Sequence, residues 1–168
     1  SAPKLQKDLF EAENDDFEIK LNVDAFIPKE YISSDADKID FYKRLNSVIT
    51  DEEIDSIVED LIDRFSDFGT EVTNLIDICY LKVKAKESRV TSVKELANKV
   101  IVTFEKDIVN KLKGKELFAA LMPHKDVRII AKDGFFLEID KKERYSIRRI
   151  RDMINLVKEN MEETNDKD

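Results

Sequence analysis

An α+β fold is predicted for this chain by three observations. Apolar residues recur at helical spacing through most of residues 34–85, whereas β-branched and aromatic clusters dominate after Ser88. An Asp-Gly pair sits between two apolar runs in that second stretch, the signature of a hairpin. Three glycines and three prolines in 168 residues are too few for a turn-rich sandwich. The predicted architecture is an N-terminal strand, an antiparallel helical layer, a small antiparallel sheet with a hairpin, and a C-terminal amphipathic helix.

Residues 1–16 are polar and weakly patterned, a flexible lead-in that opens on Ser1-Ala2-Pro3-Lys4 like a cleavage remnant. Phe17, Ile19, Leu21 and Val23 then alternate with polar residues, the period of a strand, before Pro28. Three helices follow. The first is placed from Ser34 or Asp35 to Val48, with Ile39, Tyr42, Leu45 and Val48 inward. The second opens with Thr50-Asp51-Glu52-Glu53, a capping box, and runs to Phe65, with Gly69 just beyond. Its apolar residues Ile54, Ile57, Val58, Leu61, Ile62 and Phe65 cover one arc, while Glu52, Glu53, Asp55, Glu59, Asp60 and Asp63 fall outside it. The third opens near Thr70 and carries Val72, Leu75, Ile76, Cys79 and Val83. Short connections favour antiparallel packing of the three.

After Ser88, Val90–Leu96 and the stronger Val100–Phe104 read as strands. A helix is predicted over Ile108–Leu121, weakened by Gly114. Val127–Ala131 and Phe135–Ile139 form the hairpin around Lys132-Asp133-Gly134. A last helix spans Arg144–Met161, with Ile147, Ile150, Ile154 and Val157 on one stripe, and the tail 162–168 is expected to be disordered. The change near residue 88 is a candidate subdomain boundary, but one α+β unit over 17–161 is the simpler reading.

Composition narrows the function. A 42% hydrophobic content supports a core, and 39% charged residues make a densely ionic surface. The net charge of −8 disfavours nonspecific binding to nucleic acid or anionic lipid. One cysteine excludes an internal disulfide and fits a reducing, cytoplasmic setting. No apolar run reaches the roughly 18 residues of a membrane span.

Chemistry is sparse. Lys113-Gly114-Lys115-Glu116 lacks the upstream glycine and following Ser/Thr of a phosphate-binding loop, and there is no dinucleotide fingerprint. His124 has no Cys or His companions for zinc, and Cys79 lies on an inward helical stripe, where a thiol is inert. The reading is a non-catalytic fragment with no catalytic, cofactor or metal residues. Two charged surfaces remain as candidate sites. The acidic one comprises Glu59, Asp60 and Asp63 with Arg64 beside them, suited to an arginine-bearing partner because guanidinium forks match carboxylates. The basic one lies among Lys141, Lys142, Arg144, Arg148, Arg149 and Arg151, with Arg144, Arg148 and Arg151 three or four apart on one helix face. It can meet phosphate, which gives the alternative of a nucleic-acid-contacting accessory domain, or pair with acidic helices of its own protein.

In order along the chain, Val23-Asp24-Ala25-Phe26-Ile27-Pro28, Tyr31-Ile32, Tyr42-Lys43-Arg44-Leu45, Asp60-Leu61-Ile62-Asp63-Arg64-Phe65 and Asn74-Leu75 resemble the C-terminal TRCF domain of bacterial transcription-repair coupling factors, most clearly over residues 19–85. The family usually has Gly where Ser66 and Arg89 stand, and often Pro at Gly69. The resemblance implies a parent protein that is an ATP- and Mg²⁺-dependent double-stranded DNA translocase. Such a protein displaces stalled RNA polymerase and recruits the excinuclease component UvrA in nucleotide excision repair. It also implies that this domain is regulatory: at rest it docks on, and masks, the module that binds UvrA. The positions matching Asp60 and Asp63 lie at that interface, facing arginines.

Overall fold

The computed structural model describes residues 17–142 and 145–162; the lead-in, residues 143–144 and the tail from residue 163 lie outside them. The chain divides into two compact units, one of residues 22–83 and one of residues 17–21 with 84–162.

The first unit is helical. α1 (Asp35–Asn46) starts at Ser34, whose hydroxyl accepts the Asp37 N–H. α2 (Asp51–Phe65) starts at Thr50, whose hydroxyl accepts the Glu53 N–H at 3.2 Å and lies 3.1 Å from the Glu53 carboxylate. That is most of a capping box, and it fixes the helix start at the residue the sequence indicates. α3 (Thr70–Glu87) carries the chain out of the unit. The core joins Ile54, Ile57 and Leu61 of α2 to Val72, Leu75, Ile76, Cys79 and Val83 of α3, with Phe41, Tyr42 and Leu45 of α1. Two inward assignments differ. Ile39 is 38% exposed and Phe41 is fully buried in its place, because Phe41 shares the helical arc of Tyr42 and Leu45 while Ile39 sits at its margin. Ile62 is likewise exposed, at the edge of the α2 arc.

Residues 22–32 lie against these helices without forming a strand, so the predicted strand is shorter than its alternating pattern. Phe26 N–H bonds Glu71 O, Asn74 Nδ2 bonds Asp24 O, and Ile27 N–H donates to the Tyr42 hydroxyl at 2.7 Å. The apolar alternation is spent instead on Ala25 and Ile27, both buried.

The second unit is built on a five-stranded mixed sheet in the order β1-β2-β3-β5-β4, from β1 (Glu18–Lys20), β2 (Val90–Glu95), β3 (Lys99–Phe104), β4 (Val127–Ile130) and β5 (Phe135–Asp140). Four strands are antiparallel as expected, and β1 pairs parallel with β2. The β4–β5 hairpin turns at Asp133 (φ 56°) and Gly134 (φ 146°), the conformations an Asp-Gly turn supplies. β3 buries alternate residues, Val100, Val102 and Phe104, and Phe104 meets Phe135 edge-on at 5.3 Å.

The helix predicted over 108–121 is in fact two pieces, a 3-10 helix (Lys106–Lys111) and α4 (Gly114–Leu121). The break has a cause that lies far along the chain. Lys113 N–H donates to Asn160 O and Glu162 N–H to Lys111 O, with Leu112 bridged to Met161. Leu112 is therefore extended, and no helix passes through it. Gly114 opens α4 rather than weakening its middle. α5 (Ile147–Glu159) starts after Ser146, which caps Arg149 N–H, and buries Ile147, Ile150, Met153, Ile154 and Val157.

Candidate protein-docking face

α2 positions the acidic candidates. Its buried arc, centred on Leu61, fixes the helix rotation, so Glu59 and Asp63 stand on the opposite, exposed crest. They are four residues apart and thus neighbours on one face. Asp60 lies about 100° round from Glu59, on the flank toward α1, and is half-buried.

That flank is already occupied. Arg44 Nη1, from the last turn of α1, lies 2.6 Å from Asp60 Oδ2. Its guanidinium also sits 4.8 Å from the centroid of the Phe41 ring. Arg64 approaches the same ring at 5.3 Å and the Phe65 ring at 5.0 Å, and reaches Asp37 Oδ1 at 3.5 Å. Two guanidiniums therefore share the buried Phe41, each with a carboxylate partner on a neighbouring helix. The four sequence-assigned residues split into two classes. Asp60 and Arg64 are engaged inside the unit, whereas Glu59 and Asp63 are exposed and have no partner among the described residues. Arg44 is the residue that sequence reasoning missed. Its position on α1, next to the core residue Leu45 and at the end facing α2, was the available signal.

The C-terminal end of α2 is pinned. Tyr31 hydroxyl donates toward Leu61 O (3.1 Å) and Ser66 O (2.8 Å), and its ring contacts Phe65 at 5.8 Å and Phe68 at 6.0 Å. Burial, then the Asp67 charge, hold the Tyr31 hydroxyl above its ordinary pKa, so it stays a donor. Ser66 takes φ 68°, ψ −164°, a region almost reserved for glycine.

Among the described residues, two members of the basic surface are engaged within their own unit. Lys141 Nζ bonds Glu95 at 3.0 Å and Leu96 O, and Arg149 pairs with Asp126 at 2.7 Å. Arg148 is exposed and Arg151 half-buried, and neither is without a partner. Arg144 lies outside the described residues. No group of three or more His, Cys, Asp or Glu among the described residues is arranged to hold a metal ion. Cys79 is buried within the helical unit.

The model of the TRCF domain matches residues 21–114, more than half of the chain, including every element of the acidic face. The chain belongs to the TRCF domain family. Transcription-repair-coupling factors of Staphylococcus haemolyticus and Staphylococcus aureus (strain USA300) are each 36% identical to it, over 106 and 113 residues. Those stretches are 63% and 67% of this chain but 9% and 10% of the relatives, so the chain spans about a tenth of the length of the proteins it matches. A crystal structure of the C-terminal domain of a transcription-repair coupling factor superposes with a TM-score of 0.72 at 24% identity, covering 84% of this chain and 89% of that one. The fold is thus shared with that domain over 84% of this chain. None of the described helices is long and apolar enough to cross a membrane.

Proposed function

We propose that this TRCF domain is a non-catalytic regulatory element of a transcription-repair coupling factor. It acts by docking within the parent protein on the module that recruits UvrA, and keeps that module masked until RNA polymerase is engaged. The observation that carries this reading is the pair Glu59 and Asp63. They are exposed, four residues apart, unpartnered among the described residues, and held on a helix whose rotation and end are fixed by the core and by Tyr31. Two carboxylates at that spacing suit one guanidinium fork each, or one shared between them. Masking must be weak enough to be relieved, and coupling free energies of about 1–3 kcal/mol meet that need. A few partly exposed charge pairs lie in the same range.

The parent would carry ATP and Mg²⁺ in its motor, bind double-stranded DNA and work in the cytoplasm. The alternative, nucleic-acid contact through Arg144, Arg148 and Arg151, has less support, because Lys141 and Arg149 of the same surface spend their charge on Glu95 and Asp126. The test is the full-length parent with Asp63→Arg. Binding of UvrA without polymerase should rise. Unchanged binding, in a variant that still translocates, would remove the masking reading.

A further inference from the structure

We infer that Arg44 is an internal competitor for Asp60, so that docking proceeds by exchange of Asp60 from Arg44 to an arginine of the partner. This deepens the docking reading above and rests on it. Three features of the site carry the inference. First, the Arg44–Asp60 contact is single-pronged: Nη1 meets only Oδ2, and the carboxylate keeps 34% of its side chain exposed. Oδ1 has no hydrogen-bond partner among the described residues, and a bidentate guanidinium is the donor that would outbid a one-point contact. Second, Arg44 has somewhere to go. It sits 4.8 Å from the Phe41 ring centroid, a seat that survives loss of the carboxylate and keeps the cation from being stranded. Third, Asp60 stands on the α2 flank three residues before Asp63, a neighbouring position on the helix surface, so an arginine-rich partner seated on Asp63 reaches it without moving the helix.

The consequence is a docking strength that is trimmed from inside the domain. Whatever Asp60 contributes by bonding the partner is offset by the loss of its bond to Arg44. Arg64 is the wrong residue for this role, because its carboxylate partner is Asp37 on α1 and its guanidinium is held over both Phe41 and Phe65.

The experiment is a double-mutant cycle by titration of the 168-residue chain against the UvrA-binding module of its parent. The variants are Arg44→Gln, Asp60→Asn and the double. Lys43→Gln is a control that removes one exposed positive charge from the same helix without touching Asp60. Under exchange, Arg44→Gln tightens docking by about two- to fivefold, the range of an exposed pair, and more than Lys43→Gln does. Asp60→Asn then weakens docking more in the Arg44→Gln background than in the wild type. If Arg44→Gln weakens docking while circular dichroism shows an intact fold, Arg44 is a positioning residue and the exchange is overturned. Equal effects of Arg44→Gln and Lys43→Gln, with no coupling to Asp60, overturn it too. Docking that is insensitive to Glu59→Arg/Asp63→Arg, or absent in wild type and Arg44→Gln alike, refutes the masking reading itself. Arg44→Lys guards against misfolding: it keeps the charge and weakens the contact, and should fall between wild type and Arg44→Gln.

Discussion

Arg44 and Asp60 meet at 2.6 Å across the α1–α2 packing, and each keeps about a third of its side chain exposed. The pair therefore belongs to the boundary of the core rather than to a purely solvated face. Its intrinsic worth is small, because exposed pairs contribute about 0.2–1 kcal/mol. Asp60→Asn should lower the unfolding free energy by no more than about 1 kcal/mol, less in 1 M salt. Asp63→Arg, on the open crest, should change it by less than about 0.5 kcal/mol. Urea denaturation of both variants checks this ordering.

Ser66 carries a backbone conformation that a side chain resists, at the exit of α2. Ser66→Gly should stabilise the domain by about 1 kcal/mol, as relief of strain outweighs the added freedom of the unfolded chain. A rise in thermal midpoint with an unchanged Tyr31 environment is the expected result, read by scanning calorimetry and near-UV circular dichroism.

Arg89 has φ 63°, yet the same substitution should behave differently there. Its guanidinium bonds Asp107 through both carboxylate oxygens (2.8 and 2.9 Å) and also reaches Glu105. The hydrogen bonds from Arg89, and then its charge, hold the Asp107 carboxyl below its usual pKa against the opposing effect of desolvation. Arg89→Gly gains backbone freedom and loses the ion pairs. It should be destabilising at low salt and neutral or stabilising in 1 M salt, where the pairs are screened. Denaturation midpoints at the two ionic strengths decide it.

The fold was largely legible in the sequence wherever a residue's role is set by its neighbours. The Thr50 cap, the Asp133-Gly134 turn, the β3 alternation and the stripe of α5 all act within a few residues, and each appears where its pattern placed it. Misses arise where a distant segment decides. The extended Leu112 is imposed by pairing with Met161, about fifty residues on, and the short β1 by residues 22–32 bonding to the helices. The acidic face was legible as a charge pattern, but its division into engaged Asp60 and open Glu59 and Asp63 was not. A helical wheel gives the angle of Asp60 and not the identity of the side chain that α1 brings to it.

Asp126 and Arg149 pair at 2.7 Å with both side chains largely buried. Burial pushes the Asp126 carboxyl up, but the Arg149 hydrogen bond and charge outweigh it and hold it below its ordinary value. A carboxyl with a depressed folded pKa contributes stability above its unfolded value, and that contribution is lost as pH falls through the folded value. Stability should therefore drop below about pH 4. Asp126→Asn should cost about 1–3 kcal/mol at pH 7 and show a shallower acid decline. Urea denaturation from pH 7 to pH 2 measures both.

The most direct test of masking by the acidic crest is titration of this chain against the separate UvrA-binding module of its parent protein. Wild type and Glu59→Arg/Asp63→Arg are compared at low and moderate salt. Masking by the crest predicts saturable, salt-weakened binding by wild type and its loss in the folded double variant. Equal binding by the two would contradict it.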